Sequence, residues 1–549
     1  MEADQLAMAP APIPAGPDPT AIRAAYISSL LTIESGWVEQ WAGVHDLVQE
    51  EVSLVNYNLA RSARSPEWLD RQLHLLEQVH PVATEMEHRL GLKLAAEASG
   101  IPAWKVPIER FQTHARGRGE GAADLERRIE GLLGAYRARR AEETVVWNGQ
   151  PINPAAATAS LRDPDRSVRE NAMRGLASLN LRSRRHHGAL FGRLVQLRTR
   201  LAQSSGAPSP LAGLTAALHT EGLAAAVVDV DGWVSAEVVP LVRAESESVR
   251  QRIGVDLLRP WDLSYEPGRD AGAAIAGAGA LAHASAAMET VWPGWAAAVA
   301  SLERGGWMDL EPRPGKAGGA LAVELPLSRT SAIVANIAST DDESAFFHEM
   351  GHVLHAQLAL PLPHAWQRNA PRVFSEAVAL TMELLAGQSS LQRAVRRRQL
   401  RRFLETLAHL GRVVSFERWI YGPGLGSDPA QREDRWAGLE ATFGRGADWS
   451  GLDDERRVAW YSDHQIFESP LASVDYLIAL LAALAIWTRW RHEPERTIAR
   501  LSAAMRAGGT MRGVDLLRLA GAGEALEPDG RTALVRGARA ELDSPRVGG

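Results

Sequence analysis

From about Pro19 to Gly206 apolar residues recur at spacings of three and four between charged ones, as in LLTIESGWVEQWAGVHDLVQEEV. That period admits little besides successive amphipathic helices. It resumes after Asp341 and continues almost to the end, with turn-rich breaks near 421–430 and 444–452. The exception lies between, in Gly305–Ser339, where WMDLEPRPGKAGGALAVELPLSRTSAIVANIAS mixes Gly/Pro punctuation with short β-prone runs such as Ala332–Ile337. A mainly α fold with one small β-sheet is therefore the expected class.

A chain of 549 residues is long enough for two to four domain-sized units. The turn-rich SSGAPSP at Ser204–Pro210 is the expected boundary, separating a helical half at 21–206 from a second half at 207–543, with a flexible lead at 1–20 and a loose tail at 544–549. Sixty basic against 66 acidic residues give a net charge of −6, so no basic field recommends nucleic acid or an anionic membrane as partner. The runs near 393–402 and 488–492 alternate with apolar residues at helical spacing and read as solvated helix faces. The longest apolar stretch, Tyr476–Trp487, is shorter than the ~20 residues a span requires and is expected to be a buried helix. The Pro/Ala-rich opening lacks the basic and apolar regions of a secretory signal, so the expected compartment is the cytoplasm. With no cysteine, any metal must be held by His, Asp or Glu.

Thr340–His355, TDDESAFFHEMGHVLH, carries the chemistry. Thr340 with Glu343 three residues on is a capping box, and the acidic Asp341 and Asp342 suit the positive end of a helix dipole, so a helix is expected to start here. His348 and His352 are then one turn apart on one face, where they can share a tetrahedral ion. Glu349, beside the first imidazole, is placed to reach an attacking water rather than the ion, as the general base of an H-E-x-x-H hydrolase. Gly351 inside the helix implies that another backbone packs closely there. His355 shares the stripe but lies about 10 Å from His348 along the axis, too far for one ion, and is read as structural or substrate-facing. The third ligand must come from another element. The best candidate is Glu376 in PRVFSEAVALTMELLAG, a segment with Pro at its start and Gly at its end; His364 in the intervening loop is a rival. Glu383, two turns after Glu376, is expected to orient a ligand histidine.

FFHEMGHVLH followed by SEAVALTMELL, with RPGKAGG and SAIVANIAST upstream and HQIFESPLASVDYLIA downstream, resembles the thimet oligopeptidase and oligoendopeptidase F family of zinc metallopeptidases over about 300–490. The resemblance implies a large helical ellipsoid with a deep channel that admits short unfolded peptides. It implies one Zn²⁺ held by His348, His352 and Glu376, with Glu349 passing a proton from water to the leaving amine. Co²⁺ or Mn²⁺ can also occupy such a donor set. It implies that the strand through Ala335 and Asn336 grips substrate backbone by β-addition, that Arg313 and Lys316 fix the nearby turn or contact substrate, and that Tyr476 and His464 face the reacting carbonyl. The expected partner is a short peptide, with no nucleic acid or membrane, and the chain a monomer or homodimer.

The downstream block departs from the family pattern. Relatives carry approximately Pro-Phe-Tyr-Tyr-x-Asp-Tyr where this chain has Pro470, Leu471, Ala472, Ser473, Val474, Asp475 and Tyr476, so two tyrosines are absent. Losing one oxyanion donor typically costs about 10²–10³ in kcat. Val378 also stands where relatives often have His. The principal expectation is a zinc oligopeptidase; the alternative is a specialised paralogue that binds zinc and a peptide-like ligand for binding or maturation.

Overall fold

The computed structural model describes residues 36–543 apart from 118, 120, 148, 266–285, 287, 314, 338–342, 390–392, 423–425 and 427. The lead, the tail and the Thr340–Asp342 part of the capping box lie outside the described residues. The fold is mainly α, with two small sheets. The helices that position the site are α1 (Trp37–Arg61), α2 (Ala122–Ala141), α3 (Arg166–Ser204), α4 (Glu343–Ala359), α5 (Arg372–Ser389), α6 (Arg393–Ile420) and α7 (Ala472–Trp490). The 39-residue α3 starts where Asp165 accepts the Ser167 amide at 2.8 Å, a side-chain N-cap. α7 is long and apolar enough to cross a membrane by length and composition, and 78% of that stretch is buried inside the protein.

The two largest apolar cores hold most of the helices together. One is built from residues of 41–108, with Trp41, Val55, Leu90 and Trp104 at its centre. The larger draws on α2, α3 and almost every helix after them, and joins Phe191 and Leu194 of α3 to Leu407 of α6 and Leu481 of α7, so residues on both sides of the 204–210 turn share it. Burial on this scale is the main favourable term, at roughly 25 cal/mol per Å² of apolar surface.

A hairpin of β1 (Val145–Trp147) and β2 (Gln150–Ile152) lies in the first half. The second sheet has the order β3-β5-β4, with β3 (Met308–Asp309), β4 (Ala320–Leu325) and β5 (Thr330–Ala335). β5 is central, parallel to β3 and antiparallel to β4, with Ala320 opposite Ala335 and Leu325 opposite Thr330. Its residues after Thr330 are buried, whereas β4 is a half-buried edge. Leu54 and Tyr57 of α1 pack on Val323, Leu325, Ala332 and Val334, so the first helix covers this sheet.

α4 and α5 cross at Gly351. A Cβ there would stand 2.6 Å from the Ala379 Cα, so only glycine permits the approach. This is the close backbone contact expected from its place in the helix. Gly387 differs from expectation: α5 continues past it to Ser389. Its missing side chain instead makes room for Gln399 of α6, whose Oε1 would lie 1.9 Å from a Cβ.

Candidate active site

The crossing of α4 and α5 brings His348, His352 and Glu376 together, with one donor atom from each lying within 4.8 Å of the others. Nε2 of His348 is 3.4 Å and Nε2 of His352 3.9 Å from Glu376 Oε2. Ligand atoms about 2.0–2.2 Å from one tetrahedral ion are spaced by roughly 3.3–3.5 Å, close to these values. The outer nitrogens are engaged elsewhere. Nδ1 of His348 meets Glu383 Oε1 at 2.8 Å, and Ser344 donates to the other oxygen of Glu383 at 2.5 Å. Nδ1 of His352 meets the Ser375 hydroxyl at 3.1 Å. Both imidazoles therefore turn Nε2 toward Glu376, whose Oε2 is buried without a hydrogen-bond partner. An orphaned buried carboxylate oxygen facing two imidazole nitrogens suits a divalent cation, and the His₂Glu set suits zinc.

The two imidazoles are shifted in opposite directions. Burial works against the charged form of His348, but the carboxylates of Glu376 and Glu383 beside it outweigh that and raise the imidazole to about 10. Burial and the neighbouring His348 lower His352 to about 4. Glu349 is buried, which raises its carboxyl, while His348 and the Ala322 amide that donates to it partly offset the shift. Tyr476, at the start of α7, hydrogen-bonds Glu376 and has the Arg372 guanidinium 5.3 Å over its ring.

A cavity of about 390 Å³ adjoins the cluster, walled by Gln49, Ser53 and Asn56 of α1, residues 321–324 of β4, and His355 and Ser375. His355 is buried against the edge of Phe374, and its Nε2 has no partner.

Several sequence expectations are corrected by these positions. β5 cannot add a peptide strand, because β3 and β4 occupy both its edges. The Ala335 carbonyl accepts Lys316 Nζ at 2.6 Å, and Asn336 Nδ2 holds the Ala317 and Gly319 carbonyls at 2.8 and 3.2 Å. Lys316 is fully committed to Asp309 Oδ1 and to the Asp309, Glu311 and Ala335 carbonyls, leaving no N–H for a substrate. Arg313 donates to both Asp309 carboxylate oxygens at 2.6 Å. Burial opposes ionisation of Asp309, but Arg313, Lys316 and Arg61 hold its carboxyl well below the usual range. His464 is exposed and meets Tyr136 of α2 at 3.0 Å and Arg140 at 3.2 Å, rather than the cluster. His364 stacks on Trp104 at 4.9 Å, so Glu376 is the third member of the group. Val378, where relatives often carry His, is fully buried in the larger core. Ser375 and β4 carried no signal in the sequence beyond proximity to Glu376 and β propensity.

The family profile described as "Peptidase family M3" matches residues 159–409, from α3 through both helices of the cluster into α6. Over those residues the chain is similar to peptidase family M3. It is accordingly a metallopeptidase. A comparison with curated proteins returns no match. Among solved structures, this chain is similar to PZ peptidase A with an inhibitor, at 18% identity and a TM-score of 0.87, over 97% of this chain and 98% of that one. It is also similar to oligoendopeptidase F from Enterococcus faecium, at 14% identity and a TM-score of 0.65, over 96% and 97% of the two chains. At such identities the likeness concerns the fold.

Proposed function

We propose that this chain is a zinc-dependent oligopeptidase that cleaves internal bonds of short unfolded peptides. The observation that carries the reading is the paired orientation of His348 and His352, each with Nε2 toward Glu376 and Nδ1 held from behind by Glu383 or Ser375. Zn²⁺, when bound by these three residues, supplies Lewis acidity that polarises a carbonyl and acidifies water. Glu349 takes a proton from the attacking water on its carboxylate and hands it to the leaving amine, and its burial suits a base that must later act as an acid. The Tyr476 hydroxyl, beside Glu376, donates to the carbonyl oxygen as charge develops. The outer edge of β4, whose Ala322 amide already points at Glu349, offers a sequence-tolerant grip on an extended peptide lying in the cavity. That places the β-addition one strand away from the position expected from sequence.

A second reading has a specific observation behind it. Ala472 and Ser473 are buried where relatives bring tyrosines, and His464 is turned to Tyr136 and Arg140, which suits a paralogue that binds a peptide-like ligand with little turnover. Quenched peptides of 5–15 residues separate the two. Cleavage that is lost with chelator and reduced at least ~10³-fold by Glu349→Gln with metal retained supports the oligopeptidase. Tight peptide binding without turnover by the zinc-loaded wild type supports the paralogue.

A further inference from the structure

The segment that leads into α7 is held by two buried charged side chains from different helices. Arg198 of α3 donates to the Phe467 carbonyl and, at 2.9 Å, to the Tyr421 hydroxyl. Four residues further on, the Leu471 amide donates to Glu417 Oε1 of α6 at 2.9 Å. Glu417 is completely buried, and the larger core contains Phe416, Leu471 and Val474 around it. Leu471 has φ +63°, a left-handed conformation that a γ-branched side chain rarely adopts, and it stands immediately before the first residue of α7. Its side chain is buried, so the strain is not released by turning outward. Tyr476 lies five residues on, within the first turns of α7, where it meets Glu376.

We propose that Glu417 is a positioning residue: by gripping the Leu471 amide it holds the left-handed turn that fixes where α7 begins, and so where the Tyr476 hydroxyl stands relative to Glu376. The inference rests on the oligopeptidase reading for its kinetic consequences, though not for the structural ones. Buried carboxyls are costly unless neutral or paired, and no formal ion pair to Glu417 is present among the described residues. Burial pushes its carboxyl up to about 8, with the Leu471 amide and Arg198 acting in the opposite sense and Asp463 in the same one. The other groups facing it are the Tyr421 phenol, itself raised by burial, and the Ser473 hydroxyl. At neutral pH Glu417 thus acts as a neutral acceptor, a role that glutamine can imitate and alanine cannot.

The test compares full-length wild type, Glu417→Gln and Glu417→Ala, loaded with zinc, by amide hydrogen exchange and by quenched-peptide kinetics across pH. Glu417→Gln is expected to stay within about twofold of wild type at pH 7. Glu417→Ala is expected to lower kcat about tenfold or more with KM little changed, and to speed exchange at 469–476, as misplacement of a reacting group does. Unchanged exchange and kcat in Glu417→Ala, or a Glu417→Gln that behaves like Glu417→Ala, would overturn the proposal. If Glu417→Ala does not fold, amide exchange at 469–476 in Glu417→Gln that matches wild type at pH 7 supports the proposal, and faster exchange there overturns it. A wild type that fails to cleave any peptide sinks the oligopeptidase reading alone, since exchange at 469–476 still decides the role of Glu417.

Discussion

At the scale of single residues, the candidate site is defined by what stands behind the ligands as much as by the ligands. Glu383 bonds Nδ1 of His348 and is itself bonded by Ser344, which fixes both the tautomer and the ring plane. Glu383→Ala is expected to weaken zinc affinity about 10–100-fold, read by competition with a chromogenic chelator, while Glu349→Gln leaves that affinity near wild type. The i,i+4 histidines and Glu349 were legible because a helical repeat fixes their geometry locally, and Glu376 was legible as a carboxylate among apolar neighbours. Ser375, Lys316 and His464 were not. Whether a hydroxyl, an ammonium or an imidazole faces substrate depends on partners hundreds of residues away, such as Tyr136 for His464, or on a strand order that a single sequence does not encode.

At the scale of elements, one glycine sets the spacing of the two helices that carry His348, His352 and Glu376. Gly351→Ala would drive a Cβ into the Ala379 backbone, and backbone cannot rotate aside. It is expected to destabilise the fold by about 1–3 kcal/mol in urea unfolding and to weaken metal binding together with stability, because α4 must move from α5. The sheet shows where legibility stopped. Both Leu321–Glu324 and Ala332–Ile337 look β-prone, and the resemblance singled out the second. The buried, twice-paired β5 is the sheet's centre, and the half-exposed β4 is the strand with an edge left to offer.

At the scale of the whole molecule, helical periodicity gave a sound reading of a mainly α architecture with one small sheet near the H-E-x-x-H helix. The packing of α1 onto that sheet, and the sharing of one core across the 204–210 turn, arise from contacts between distant segments and left no local trace. The long apolar α7 threads this core, and the neutral Glu417 beside its start links global stability to pH. Glu417 titrates near 4.5 when unfolded and near 8 when folded. Its contribution is fully present below about pH 4.5 and is lost as pH rises to about 8. Glu417→Gln cannot ionise, so its stability in urea is expected to fall less across that window, by an amount on the order of 4–5 kcal/mol. All of the chemistry proposed above depends on a cation at one point in this frame. The most direct measurement is anomalous scattering at the zinc edge from crystals of the zinc-equilibrated protein. A single peak within about 2.0–2.2 Å of Nε2 of His348, Nε2 of His352 and a Glu376 oxygen is expected. No peak there, or a peak that leaves Glu376 uncoordinated, would contradict it.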